Sequence, residues 1–295
     1  GMAVEAYATI GVLKNIALFS LPFFLSYFLQ TLYGLADLFI IGQFDGVDSI
    51  TAVSIGSQIM HMITVMIVGL SMGATVCIAQ AVGAKDKEKL RYCIGNTVTV
   101  FFIVSLILTG LLLFYTDFIV GVVKTPTEAV AGTKEYLIIC FIGIPLITAY
   151  NIVSSILRGM GDSKSPMYFI AIACVANIIL DYVFIGYFKL GAVGAALGTT
   201  LSQGISVICA LTYINRNNSN DSFSFAYLKL KGNIAKRLLR IGIPICAQDG
   251  FIQVAFMVIT VIANMRGLTD AAAVGIVEKL ISFIFLVPSS MLSTV

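Results

Sequence analysis

The 295-residue chain is 59% hydrophobic, only 11% charged and carries a net charge of +3, with a mean hydropathy of +0.99. Soluble domains carry about 25% charged residues, so a chain this apolar has too little polar surface to face water and its solvent is a bilayer. The small net charge gives nucleic acid no electrostatic footing.

About 20 apolar residues cross a bilayer, and eight apolar segments read as spans: 15–43, 52–82, 93–121, 130–157, 166–188, 191–215, 236–265 and 271–295. No cleavable signal precedes the first. Pro22, Pro145, Pro244 and Pro288 fall inside four spans, where membrane helices tolerate proline at the cost of a bend and a freed carbonyl. In span 2, Met60, Met62, Met66 and Met72 read as packing residues. Gly69/Gly73 there, and Gly194/Gly198 in span 6, have the spacing that lets helices approach closely. The six cysteines are scattered singly, without a C-x-x-C, and read as small packing residues; the one histidine, His61, cannot build a histidine metal site.

Lys and Arg set the orientation. With the N-terminus inside, the inner loops hold Lys14, Lys85, Lys87, Lys89, Arg91, Arg158, Lys164, Arg216 and the run from Lys229 to Arg240. The outer side holds only Lys124, Lys134, Lys189, Arg266 and Lys279. The positive-inside rule then places the N-terminus in the cytoplasm of a multi-pass protein of the plasma membrane.

The most polar stretch, NRNNSNDSFSF (215–225), separates spans 6 and 7. An internal repeat crosses it: LKNIALFSLPFF (13–24) aligns with AKRLLRIGIPIC (235–246), setting Pro22 on Pro244, and AVSI (52–55) matches AVGI (273–276). Span 7 therefore restarts what span 1 began, as parallel repeats about an axis along the membrane normal. The expected fold is all-α integral membrane, with two parallel six-helix repeats. Residues 1–215 form an N-lobe of six helices, 216–234 a cytoplasmic inter-lobe connector, and 235–295 the start of a C-lobe. Repeat symmetry expects about four further helices after Val295.

Carboxylates inside a membrane cost on the order of 2.5–3.5 kcal/mol and mark function by default. The embedded ones are Asp37, Asp181, Asp249 and Glu278. Asp37 lies six residues before Gln43 and Asp181 six before Tyr187, so both sit roughly 9 Å below the outer surface. The turn between spans 5 and 6 centres near residue 190, which puts Thr199 at the height of Asp181; Asn177 is one turn from Asp181 on the same face. Two carboxylates, an amide and a hydroxyl at one level form a hard-oxygen set for Na⁺, or for a proton shared between two acids. Tyr136 could reach this level. Gln30, Asp249, Gln253 and Glu278 are weaker candidates for lining a substrate cavity.

Two motifs point elsewhere. GMGD (159–162) matches the G-x-G-D of presenilin-type intramembrane proteases, but Asp162 lies in a basic turn ahead of the helix-start signal Ser165-Pro166. No G-x-x-x-x-G-K-[ST] is present, so this chain has no nucleotide motif of its own.

The chain resembles the multidrug and toxic compound extrusion (MATE) transporters of the MOP flippase superfamily. The resemblance rests on LYGLADLFIIGQF (32–44), GATVCIAQAVGAKD (73–86), LRGMGDSKSPM (157–167), NIILDYVFI (177–185) and GAVGAALGTTLSQ (191–203). It implies two six-helix lobes around a central cavity and export of cationic, amphipathic compounds in exchange for Na⁺ or H⁺, with no enzyme activity, no cofactor beyond the coupling ion, and a monomer in the bilayer. It also implies a first-lobe cation site at Asp37, Asn177, Asp181 and Thr199, joined by Tyr136. Some relatives use a glutamate in the seventh helix for a second site; here Ile252 and Gln253 stand near that place. The rival readings are a flippase for lipid-linked saccharides or lipids of the same superfamily, and a membrane scaffold that transports nothing. Acidic embedded charges, with no embedded Lys or Arg in the first unit, favour cationic cargo over a pyrophosphate.

Overall fold

A computed structural model describes residues 1–217, 225–266 and 281. The described residues are mostly helical, joined by short turns, and contain no strand. In chain order the elements are α1 (Met2–Phe44), α2 (Val47–Gly83), α3 (Lys87–Phe114), α4 (Thr116–Val122), α5 (Val130–Ile142), α6 (Ile144–Gly159), α7 (Lys164–Asp181), α8 (Ala192–Asn217) and α9 (Gly232–Arg266). Among the described residues, six helices are long and apolar enough to cross a membrane, and α5 with α6 forms a seventh, broken span bent by 44°. The expected eighth span, with Glu278 and the AVGI half of the repeat, lies outside the described residues apart from Ile281.

Span 4 is broken where the sequence suggests a single bend. Gly143 ends α5, donating its N–H to the carbonyls of Ile139 and Cys140, and Pro145 starts α6 as a first-turn proline that needs no partner for its nitrogen. Span 3 also divides, with Tyr115 separating α3 from α4. Asp86 caps α3 by accepting the Lys89 N–H at 3.1 Å. At the start of α7, Asp162 accepts the Ser165 N–H at 3.0 Å and the Ser165 hydroxyl at 2.6 Å. The Gly-Met-Gly-Asp turn is therefore a helix start, with Gly161 at φ +93°.

Packing arranges these helices around three buried clusters. α7 lies against α8 and α1, α2 lies against α5 and α6, and α9 packs most extensively on α2. At that last seam the backbones touch. A Cβ on Gly73 would overlap the Leu238 carbonyl, and one on Gly242 the Leu70 carbonyl, so the glycine spacing serves close approach. Met60 and Met72 are buried and the Met66 thioether packs on Gly250. All six cysteines are free thiols.

Residues 225–228 form a short 3₁₀ turn docked on α3. Thr99 donates to the Leu228 carbonyl at 2.7 Å, and the Asn96 side chain bridges the Lys229 carbonyl and the Lys231 N–H. This part of the polar stretch is tied to the first unit.

One charge departs from its expected place. Arg158, counted above among loop charges, is 8% exposed and stands 4.2 Å over the Phe23 ring of α1. The first unit thus does bury a cation. The last turn of α6 carries it inward, where the ring face of Phe23 receives the guanidinium.

Candidate functional site

Three helices meet at one buried cluster. α1 contributes Asp37, α7 contributes Asn177 and Asp181 one turn apart, and α8 contributes Thr199. Asp37, Asn177 and Asp181 are each at most 1% exposed. Asn177 Nδ2 donates to Asp37 Oδ1 at 3.1 Å, and Thr199 Oγ1 donates to Asp37 Oδ2 at 2.7 Å while lying 3.4 Å from Asn177 Oδ1. The Asp181 carboxyl faces that of Asp37 within hydrogen-bonding reach. The four residues selected by depth in the sequence therefore do share one level.

Local structure explains how Asp181 gets there. It is the last residue of α7; from Tyr182 to Tyr187 the helix widens into a π turn, with Phe188 N–H bonded to the Val183 carbonyl at 2.9 Å. Such a turn re-aims side chains and is common at functional sites. The π turn docks on the end of α1, where Tyr182 meets the Phe44 ring edge-on at 6.0 Å. The two glycines of α8 make room: a Cβ on Gly194 would lie 3.0 Å from the Phe184 carbonyl, and one on Gly198 would overlap the Asp181 carboxylate.

The two acids are not equivalent. Asp37 is served by two neutral donors. Both oxygens of Asp181 are buried and meet no donor among the described residues. As a pair of carboxylates, the two groups would repel each other in a medium that screens poorly. A proton on either carboxyl would turn their contact into a hydrogen bond, and a small cation between them would be met by oxygens of both. Among the described residues, hydrogen-bond acceptors crowd this point and protein cations do not.

The remaining candidates are placed as follows. Tyr136 is 1% exposed, packs its ring on Gly56 and sets its hydroxyl beside the Cys140 thiol; it borders the cluster without a hydrogen bond to either aspartate. Asp249 is half-buried, with Oδ2 beside Gly69 in the α2–α9 seam. Gln30 and Gln253 are half-buried on α1 and α9. The structure does not bring these three to the aspartate cluster, and Glu278 lies outside the described residues. Sequence reasoning missed Tyr33, buried one turn before Asp37 on the same face, and Arg158. The i, i+4 spacing from Asp37 could have found Tyr33; Arg158 gave no signal, because a cation beside a turn reads as a loop charge.

Comparison with known proteins adds the context. The MatE family model matches residues 22–183. The probable multidrug resistance protein YoeA of Bacillus subtilis (strain 168) is 30% identical over 282 residues, covering 92% of this chain and 60% of the relative. A solved outward-facing conformation of a multidrug resistance MATE family transporter of the MOP superfamily superposes with a TM-score of 0.82 at 25% identity, over 95% of this chain and 63% of that one. An inward-facing conformation of such a transporter superposes with a TM-score of 0.78 at 27% identity, over 89% and 60%. The chain spans about 60% of the length of the relatives it matches.

Proposed function

The chain belongs to the MatE family, a family of membrane transporters, and from that premise we propose that it is part of a cation-coupled exporter of cationic, amphipathic compounds, working by alternating access. Asp37 and Asp181 are the coupling pair, with Asn177 and Thr199 holding Asp37 in position. The observation that carries this reading is Asp181, whose two buried oxygens meet no donor while facing a second carboxylate. Na⁺ or H⁺ fits that place equally: either makes the contact between the two acids favourable, and either leaves when the pair is exposed to the opposite side.

The neighbouring structure supplies a means of transmission. Asp37 lies on the same helix as Pro22, which removes one rung of the α1 hydrogen-bond ladder, and Ser26 bonds back to the Pro22 carbonyl at 2.8 Å. Cation arrival removes charge from the outer half of α1 and alters how that half sits against α7 and α8, while the proline lets it move independently of the inner half. The cargo is released outward as the coupling ion is bound. Related transporters have been solved in outward-facing and inward-facing states, and the relatives matched are named for multidrug resistance, which supports export over lipid flipping. The protein acts as a monomer in the plasma membrane with its N-terminus in the cytoplasm.

The test is drug export by the full-length protein carrying Asp37→Asn and Asp181→Asn together. Loss of ion-driven export with normal membrane insertion supports the assignment; undiminished export refutes it.

A further inference from the structure

Arg158 Nε and both oxygens of Asp181 are buried without a hydrogen-bond partner among the described residues, as are Tyr33 Oη, Ser154 Oγ and Thr109 Oγ1, although Tyr33 Oη has the Ser202 hydroxyl of α8 beside it and Ser154 has Tyr150. All except Thr109 belong to α1, α6 and α7. Tyr33 stands one turn from Asp37 on the cytoplasmic side, and it packs in one cluster with Tyr150 of α6. Tyr150 donates to the Pro166 carbonyl at 2.8 Å and lies beside Ser154. Arg158 follows Ser154 by one further turn and rests on Phe23. The heights agree on both helices: Tyr33 to Phe23 is roughly 15 Å along α1, and Tyr150 to Arg158 roughly 12 Å along α6. Polar atoms buried inside a membrane protein take water where no protein group serves them.

We infer that Tyr33, Tyr150 and Ser154 line a hydrated file inside the first unit, running from Asp37 toward the cytoplasm, and that the Arg158 cation closes the far end of that file to Na⁺ and H⁺. Arg158 is 8% exposed, its Nε meets no hydrogen-bond partner, and no carboxylate pairs with it among the described residues, so no anion neutralises its charge there. The Phe23 ring face receives the guanidinium and the Tyr150 hydroxyl lies within its field, and neither carries a charge that would cancel it. A fixed positive charge at a constriction admits water and repels cations. The coupling ion at the aspartate pair is thereby kept from draining through the lobe, and its exchange is confined to the routes that alternating access opens. This inference rests on the reading of Asp37 and Asp181 as the coupling pair.

The test uses the full-length protein in liposomes, with an imposed pH or ²²Na⁺ gradient and no drug. Arg158→Gln is expected to raise the passive flux of one of these cations by about tenfold or more, Arg158→Lys to stay tight, and Asp37→Asn added to Arg158→Gln to remove the leak. Arg158→Gln as tight as the unmutated protein overturns the seal, even where neutralising both aspartates abolishes export. A leak that survives Asp37→Asn overturns the connection to the pair. Radiolytic hydroxyl labelling of the unmutated protein tests the file without any substitution: bound water oxidises Tyr33 and Tyr150 despite their burial, and a lack of labelling at both shows the file to be dry and overturns the proposal.

Discussion

Thr199 Oγ1 donates to Asp37 Oδ2 at 2.7 Å, joining α8 to α1 across 162 residues of chain. A charge-assisted bond of this length fixes which way the Asp37 carboxyl points. Thr199→Ala removes it and leaves that oxygen without its donor. The expected cost to cation binding is about 1.5 kcal/mol, roughly tenfold in affinity. Thr199→Ser keeps the hydroxyl and should bind nearly as the parent does. Equal binding by the alanine and serine variants, measured by titration calorimetry, would show the bond to be irrelevant to the ion.

Gly198 is where the Asp181 carboxylate rests, and any Cβ there would overlap it. Gly198→Val should displace the carboxylate from Asp37 and abolish ion-driven export, with a loss of stability of about 1–3 kcal/mol from overpacking. Gly204 of the same helix has only the tip of Leu146 nearby, at 3.7 Å from a built Cβ. Gly204→Ala should therefore be nearly silent in the same export and thermal-unfolding assays.

The α2–α9 seam makes a prediction about stability alone. Gly73→Ala and Gly242→Ala each force a methyl group into the backbone of the facing helix, and each should lower thermal stability in detergent by about 1–3 kcal/mol. Gly83, at the end of α2 with no described residue within 4 Å of a built Cβ, should accept alanine without loss. A flat response across the three would mean that the helices sit farther apart than described.

Much of this architecture is legible in the sequence, for definite reasons. Hydropathy marks the spans because a bilayer demands long apolar runs, and rise per residue alone puts Asp37, Asp181 and Thr199 at one height. The glycine spacing in GAVGAALG also speaks, although only the structure shows that one glycine accommodates Phe184 and the other Asp181. The break at Gly143 is obscured because Pro145 is equally compatible with a gentle kink. The π turn after Asp181 leaves no trace in periodicity, since one wide turn shifts the phase of only a few residues. Arg158 is misjudged because its neighbours form a polar turn, and burial by a distant phenylalanine is a tertiary event. Tyr136 is placed near the site by its depth, while the contact it makes, with Gly56 and Cys140, depends on helix rotation that depth cannot give.

The central claim is that Asp37 and Asp181 together hold the coupling cation. The measurement that meets it most directly is isothermal titration of Na⁺ into the purified full-length protein at pH 8 and pH 6, beside Asp181→Asn. The account predicts saturable Na⁺ binding at pH 8, weaker binding at pH 6 as protons compete for the pair, and loss of both in the variant; for a proton-only exporter it predicts instead that drug addition releases protons and that Asp181→Asn does not. Na⁺ binding or drug-triggered proton release that is unchanged in Asp181→Asn would contradict it.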